Sequence, residues 1–179
     1  RGMMHTVLLV IDTQKLITNT DLYHYDIFVS NVKKLIKTAR ETHTEIIYVR
    51  HDDGAGRALT RGTEGFEIYE EFRPCKKEKI FDKRGSSALK ETGLLKYLNE
   101  KQVGQMIVVG LQTEYCIDAA VKCGFEHGFE IIVPKESNST FDNAYMSAEE
   151  TYKYYNDFIW NKRYASCITV QETMERMCR

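Results

Sequence analysis

The sequence predicts an α/β domain with a doubly wound, mainly parallel sheet, on two observations. Short, continuous apolar runs recur along the 179 residues, which is typical of strands that are covered on both faces. The segments between them carry the apolar period of amphipathic helices, and parallel strands need such helices as crossovers. We expect strands at residues 6–12, 45–51, 106–110, 130–134 and 167–170, with a weaker one at residues 78–83.

The connections between these strands can be predicted in order. A first crossover helix is expected over residues 28–39, where apolar residues recur at helical spacing. Residues 52–77 contain four glycines and little periodicity, so they form a long loop, either a wall of a functional site or an ordinary surface insertion. A second helix is expected over residues 89–98. Ser147 and Glu150 stand at capping-box spacing and predict a helix that begins directly after Ser147.

The composition restricts the partners of the protein. The formal net charge is −1, so no nucleic-acid surface is indicated and a small neutral or mildly charged ligand is expected. The sequence shows no apolar run of about 18 residues and no leader pattern, so we expect a cytoplasmic protein without a membrane partner. The five cysteines lack disulfide or zinc-site spacing, which favours reduced thiols. Arg1 and Gly2 look like the remnant of an expression vector, and we assign one domain to residues 3–179.

Three chemically active side chains lie at the ends of predicted strands. Asp12 ends the first strand, and Lys83 ends the weak strand near residue 80. Cys116 follows the strand at residues 106–110 and opens an alanine-containing segment that is expected to be a helix. Ligands of open parallel sheets bind at the carboxyl ends of the strands, so we expect these side chains to meet. Each also has a structural explanation: an aspartate can cap a helix, a lysine can be a solvated charge, and a cysteine can be a small buried apolar side chain.

Together the three groups suit nucleophilic catalysis. A thiolate is the nucleophile, and a helix start beside an ammonium group is expected to lower the pKa of the Cys116 thiol. Asp12 can carry a proton from the thiol to a leaving amine, while Lys83 keeps the carboxylate ionised and oriented. Backbone N–H groups at the helix start can bind the negative oxygen of a tetrahedral intermediate.

Six motifs occur along the chain in a recognisable order: "VLLVIDTQ" with Asp12, "VRHDDGAG", "GTEGFEIY", "FDKRGSSAL" with Lys83, "IVVGLQTEYCIDAA" with Cys116, and "ESNSTFD". In this order they resemble the isochorismatase-like cysteine hydrolases, a superfamily that includes the nicotinamidases. The resemblance implies a three-layer α/β/α fold with a six-stranded, mostly parallel sheet. It also implies that Asp12, Lys83 and Cys116 are the catalytic residues of a hydrolase that cleaves a small amide through a thioester, releases ammonia and needs no cofactor.

The resemblance also implies an oxyanion hole. It predicts a cis peptide bond between Leu111 and Gln112, which turns the Gln112 N–H toward the oxyanion beside the N–H of Cys116.

Three residues fall at positions of the substrate pocket in the family, namely Gln14, Ile17 and Phe66. Phe66 matches an aromatic residue that stacks on the substrate ring. Ile17 stands where nicotinamidases often have phenylalanine, which argues against nicotinamide as the substrate.

The sequence departs from the metal-dependent nicotinamidases at two places. Those enzymes have Asp-x-His after the second strand and a later histidine that closes a glycine-containing stretch; this chain reads "RHDDG" at the first place and has Tyr69 at the second. We therefore expect no metal site, and we interpret His51 as a polar residue at a strand end.

Two functional alternatives stay open. One is a nicotinamidase or isochorismatase activity, although siderophore-type isochorismatases cleave a vinyl ether and typically lack the cysteine. The other is a non-enzymatic, redox-sensing protein with Cys116 as its thiol, against which Asp12 and Lys83 speak because a sensor needs no proton shuttle. The resemblance further implies a homo-oligomer, a dimer or larger. The aromatic segment at residues 152–160 could supply its interface or face the core.

Overall fold

A parallel sheet forms the centre of the computed structural model, which describes residues 4–179. The strands are β1 (Thr6–Ile11), β2 (Glu45–His51), β3 (Lys79–Lys83), β4 (Gln105–Leu111), β5 (Glu130–Pro134), β6 (Asn138–Ser139) and β7 (Ser166–Ile168). Their order is β3–β2–β1–β4–β5–β7, and β6 pairs with the end of β4. The six predicted strands are therefore confirmed. The seventh, β6, has two residues and is too short to leave a periodic pattern. The interpretation of Arg1 and Gly2 lies outside the described residues.

Four α-helices lie between strands in the described part of the chain and a fifth follows β7: α1 (Tyr25–Glu41), α2 (Leu94–Glu100), α3 (Asp118–Glu126), α4 (Ala148–Lys153) and α5 (Val170–Met177). The predicted start of α4 is confirmed, because the Ser147 side chain accepts a hydrogen bond from the Glu150 N–H and the Glu150 carboxylate accepts one from the Ser147 N–H. The helix expected over residues 89–98 begins later, at Leu94, because Gly93 takes a left-handed conformation. Helix α5 was not predicted.

The helices cover both faces of the sheet. Leu8 and Val10 of β1 pack in the same apolar cluster as the buried face of α1, with Met177 of α5. The alternate residues Val7 and Leu9 belong to the opposite cluster, which contains the buried residues of α2 and α3. Successive side chains of a strand point to opposite faces, so both faces of β1 are buried. The predicted three-layer α/β/α fold is confirmed.

Strands β1 and β4 lie side by side, and the strand order reverses between them. In open α/β sheets such a switch point creates a crevice at the carboxyl ends of the strands. Gly110 of β4 is required there, because its φ is 127° and a Cβ atom at this position would collide with the carbonyl oxygen of Ile11. The close approach holds the ends of the two strands together beside the crevice.

The long loop at residues 52–77 folds back against the segment that follows β1. The Tyr69 N–H donates to the Thr13 carbonyl at 2.8 Å, and the Lys15 N–H donates to the Glu67 carbonyl at 2.8 Å. Two short 3₁₀ turns, Glu64–Phe66 and Glu70–Phe72, bury an aromatic residue each. The loop therefore packs beside the carboxyl end of β1, where a wall of the crevice is needed.

The aromatic segment after α4 both fills the core and faces outward. It continues as a π-helical segment, Tyr154–Trp160, in which Asn156 and Trp160 are buried. Tyr154 and Phe158 are exposed, and their ring centroids lie 5.5 Å apart. The homo-oligomer stays a prediction. None of the helices within residues 4–179 has the length and apolarity needed to cross a bilayer.

Candidate active site

The three predicted catalytic side chains meet at the switch point. Asp12 follows β1 directly, Lys83 is the last residue of β3, and Cys116 lies in a π-helical turn, Thr113–Ile117, between β4 and α3. The Lys83 Nζ atom lies 3.1 Å from Asp12 Oδ2 and 3.2 Å from Cys116 Sγ. Side chains that are separated by up to 104 residues along the chain thus form one cluster.

Lys83 is the centre of this cluster. Its side chain is fully buried, and two further acceptors surround its ammonium group: the Gly85 carbonyl at 3.0 Å and His51 Nδ1 at 3.0 Å. A buried ammonium group is tolerated only when its N–H groups are satisfied. The three oxygen and nitrogen acceptors match the three N–H groups and meet this requirement, and the Cys116 sulfur is a fourth, weaker acceptor.

Asp12 is placed to accept a proton. Its backbone has a φ of 54°, in the left-handed region that aspartate tolerates better than most residues, and its N–H donates to the Val49 carbonyl at 2.8 Å. The side-chain atom Oδ1 is buried and has no hydrogen-bond partner among the described residues. Burial raises the pKa of Asp12 above its ordinary value of 3.8, although the Lys83 ammonium opposes the rise. The carboxylate is therefore a stronger base than an exposed aspartate.

The expected lowering of the pKa of the Cys116 thiol is wrong. Burial first, and then the carboxylate of Asp12, raise the pKa of Cys116 to about 12, and the Lys83 ammonium lowers it by less. The prediction considered the cation and the helix start but not the desolvation of the sulfur. The site therefore holds a protonated thiol beside a base, rather than a preformed thiolate.

His51 belongs to the cluster, which the sequence interpretation missed. Its Nδ1 atom faces Lys83, and its Nε2 atom lies 2.9 Å from Asp53 Oδ1. Potential metal-ligand atoms of Asp12, His51 and Cys116 lie within 4.8 Å of one another, and the Lys83 ammonium is 3.0–3.2 Å from each residue. The Lys83 ammonium thus lies among these three side chains, which form the only group of possible metal ligands within residues 4–179. A signal existed in the sequence, since "RHDDG" places a histidine at the end of β2, next to the strand that ends in Lys83.

A buried polar network holds the π-helical turn that carries Cys116. The Thr113 hydroxyl donates to Asn138 Oδ1 at 2.7 Å, and Asn138 and Asn156 exchange two side-chain hydrogen bonds of 2.9 and 3.1 Å. The peptide bond between Leu111 and Gln112, at the start of the turn, is cis. Strand β6 and the π-helical segment therefore support the loop that carries Cys116. The sequence offered no periodic signal for this network.

The three residues predicted for the substrate pocket differ in what they contact. Gln14 is fully buried, and its amide bonds to both the N–H and the carbonyl of His51, at 2.8 and 3.0 Å. It holds the main chain at the end of β2, and its place in a substrate pocket stays a prediction. Phe66 is also buried, with the Arg50 guanidinium 4.6 Å from its ring centroid, and its stacking on a substrate stays a prediction too. Ile17 is half-buried and packs against the apolar cluster that contains α1.

The fold and this constellation define a doubly wound α/β protein with an aspartate, a lysine and a cysteine clustered at the switch point of its sheet. The family follows from comparison with known proteins: residues 6–171 match the model of the isochorismatase domain, and the chain belongs to the isochorismatase family. It is 31% identical over 147 residues to the uncharacterized isochorismatase family protein YddQ of Bacillus subtilis, covering 76% of this chain and 79% of that protein. It is 22% identical over 158 residues to the ureidoacrylate amidohydrolase RutB of Acinetobacter baylyi, covering 67% of this chain and 64% of that protein.

The fold is shared with solved structures of the family. A crystal structure of an isochorismatase family protein has 25% sequence identity and a TM-score of 0.85, and the match covers 93% of this chain and 99% of that one. Members of the family are hydrolases, and RutB is by name an amidohydrolase.

Proposed function

We propose that the protein is a cysteine hydrolase that cleaves the C–N bond of a small amide through a thioester and releases ammonia. The single observation that carries the proposal is the buried contact of Lys83 with both Asp12 and Cys116, at 3.1 and 3.2 Å. A cation that touches a base and a nucleophile at once stabilises the anion on either partner. Proton transfer from the thiol to the carboxylate therefore leaves the negative charge beside Lys83.

Acylation begins when the amide carbonyl reaches Cys116. Asp12 takes the thiol proton, Sγ forms a bond to the carbonyl carbon, and the carbonyl π electrons move to its oxygen. The N–H groups of Gln112 and Cys116 are assigned to that oxygen. Asp12 then gives its proton to the amide nitrogen, the oxyanion electrons re-form the C=O bond, and the C–N bond breaks. Ammonia leaves with the electron pair of that bond, and the acyl group stays on Sγ as a thioester.

Deacylation uses the same base. Asp12 takes a proton from a water molecule, whose oxygen attacks the thioester carbon. When the C–S bond breaks, Sγ recovers the proton from Asp12, and the product is a carboxylic acid. The raised pKa of the Cys116 thiol suits the ground state, because the resting site is protonated and the base acts only when an electrophile is present.

The same pKa argues against the redox-sensing alternative. Oxidant-sensitive thiols react as thiolates and are accessible. Burial raises the pKa of Cys116 to about 12, which leaves very little thiolate at neutral pH. A base placed beside the sulfur makes the thiol useful to a hydrolase, whereas a sensor gains nothing from it.

The test is a screen for ammonia release over a panel of small aliphatic, aromatic and ureido amides, with nicotinamide included. The protein quenched during turnover of an active amide should carry the acyl mass on the peptide that contains Cys116. Cys116→Ala should abolish release and still bind the substrate. An active wild-type preparation without an adduct, together with an active Cys116→Ala variant, would contradict the assignment.

A further inference from the structure

The side chain of His51 has two polar contacts that constrain each other. Nδ1 lies 3.0 Å from the Lys83 ammonium, and Nε2 lies 2.9 Å from the Asp53 carboxylate. An ammonium group can only donate hydrogen bonds, so Nδ1 must present its lone pair to Lys83. A carboxylate only accepts, so Nε2 must carry the proton that faces Asp53. The only form of the ring that satisfies both neighbours is the neutral imidazole with its proton on Nε2.

The main chain of His51 is fixed as firmly as its ring. Gln14 follows the end of β1, where it continues the pairing with β2 through its side chain: Oε1 accepts from the His51 N–H at 2.8 Å and the Nε2 amide donates to the His51 carbonyl at 3.0 Å. Gln14 is fully buried, so these bonds have little competition from water. Gln14 thus fixes the main chain of His51 and Asp53 fixes its ring, and together they keep Nδ1 facing Lys83.

We propose that His51 is a positioning residue for Lys83, a neutral hydrogen-bond acceptor that is locked in its Nε2–H tautomer by Asp53 and held in place by Gln14. The inference rests on the proposed function only in taking Cys116 as the nucleophile that Lys83 serves. It assigns a role to three residues, of which the sequence comparison placed Gln14 in the substrate pocket and His51 at an ordinary strand end.

A neutral acceptor has a specific advantage at this position. Lys83 needs an acceptor for each N–H because it is buried, and Asp12 already supplies one negative charge. A second carboxylate would compete with the developing thiolate for the same cation. The imidazole nitrogen satisfies an N–H and adds no charge, so Lys83 stays available to an anionic sulfur.

The first test measures the reactivity of Cys116 without any substrate. Iodoacetamide alkylation at one mildly alkaline pH is followed by peptide mass mapping, with the exposed Cys75 as an internal reference. His51→Leu and His51→Asn are matched in size, but only asparagine offers an acceptor near the Nδ1 position. We expect the rate at Cys116 to fall about tenfold in His51→Leu, as expected for one lost hydrogen bond to a charged group, and to stay within about threefold of wild type in His51→Asn. An unchanged or faster rate in His51→Leu, or an equal fall in both variants, overturns the role.

The second test reads the tautomer of His51 in the wild-type protein, and the His51 variant serves only to assign its signals. Long-range ¹H–¹⁵N spectra of histidine-labelled protein report the tautomer of each of the five histidines, and His51→Asn identifies the signals of His51. We expect an unprotonated Nδ1 and a protonated Nε2 at neutral pH, and Asp53→Asn should weaken this preference. A protonated Nδ1 overturns the proposal.

Neither readout requires a cleavable amide, so the two proposals can fail separately. If no amide is hydrolysed while His51→Leu still slows alkylation and the Nε2–H tautomer is present, the proposed function fails and the role of His51 stands. If ammonia is released at the same rate by wild type and His51→Leu and the tautomer differs, the hydrolase stands and the positioning role fails.

Discussion

Replacement of Lys83 by methionine removes the buried cation and keeps a flexible apolar side chain of similar length. The Lys83 and Asp12 side chains are 0% and 3% exposed, and their charged atoms lie 3.1 Å apart. Two unit charges at this separation attract by about 5 kcal/mol at an effective dielectric constant of about 20. The variant can relieve the unpaired carboxylate by protonating Asp12, which at neutral pH costs about 1.4 kcal/mol for each pH unit above 3.8, or about 4 kcal/mol. We therefore expect Lys83→Met to lose about 3–4 kcal/mol of unfolding free energy.

The loss should depend on pH in a definite direction. Removal of Lys83 raises the pKa of Asp12 further above 3.8. A carboxyl whose pKa is raised in the folded state stabilises the fold at low pH, and this stabilisation is lost as the pH rises. Where Asp12 is protonated in the variant and ionised in the wild type, the stability difference should narrow by about 1.4 kcal/mol per pH unit as the pH falls. A second variant, Asp12→Asn/Lys83→Met, has no unpaired charge and should recover much of the stability with no such slope.

The assay is urea unfolding followed by the fluorescence of Trp160, the single tryptophan, which is fully buried. Lys96→Met is the matched control, because the Lys96 side chain is 82% exposed and its loss should change the stability by less than about 0.5 kcal/mol. The reasoning is refuted if Lys83→Met costs less than about 1 kcal/mol, or if the costs of Asp12→Asn and Lys83→Met add in the double variant.

Three further predictions follow from the geometry of the site. Asp12→Asn should lower kcat about 100- to 10,000-fold in an ammonia-release assay, because it removes the base and keeps the shape; rates within tenfold of wild type would exclude Asp12 as the base. The rate should rise with pH over a range above 3.8, because burial raises the pKa of the carboxyl that must be ionised, and a rising limb centred at or below 3.8 would contradict this cause. Gly110→Ala should cost more than about 3 kcal/mol of unfolding free energy, since its Cβ meets the Ile11 carbonyl, whereas Gly85→Ala, with the nearest atom at 3.5 Å, should cost less than about 1 kcal/mol in the same denaturation experiment.

Much of the fold could be predicted from the sequence because the buried strands are long apolar runs. The strands that carry Asp12 and Lys83, and the strand before Cys116, were located in this way, and the topology of a parallel sheet then brought their ends together. Strand β6 and helix α5 could not be found by the same route, because one is two residues long and the other is short and mostly polar. Local sequence patterns predict secondary structure. They predict which residues lie close together only when the topology of the sheet is also known.

The properties of the site were less predictable than its members. The pKa of Cys116 depends on how completely the sulfur is desolvated, which is a property of the packed fold, so an argument from its charged neighbour gave the wrong direction. His51 was set aside because the motif was compared with a metal site, whereas its partners Lys83 and Asp53 are identified only by distance. Gln14 shows the same limit, because the sequence does not reveal that its side-chain amide bonds to the main chain of His51.

The Lys83 ammonium lies among three side chains, those of Asp12, His51 and Cys116, whose donor atoms are spaced as metal ligands can be. The positive charge of this site therefore comes from a side chain. A side-chain cation is made with the chain, so the charge that Lys83 supplies needs no loading step and cannot be removed by a chelator. An ammonium group also offers no coordination position to water, and in the proposed mechanism Asp12 therefore activates the water. The positive charge that Lys83 contributes is in place as soon as the chain has folded.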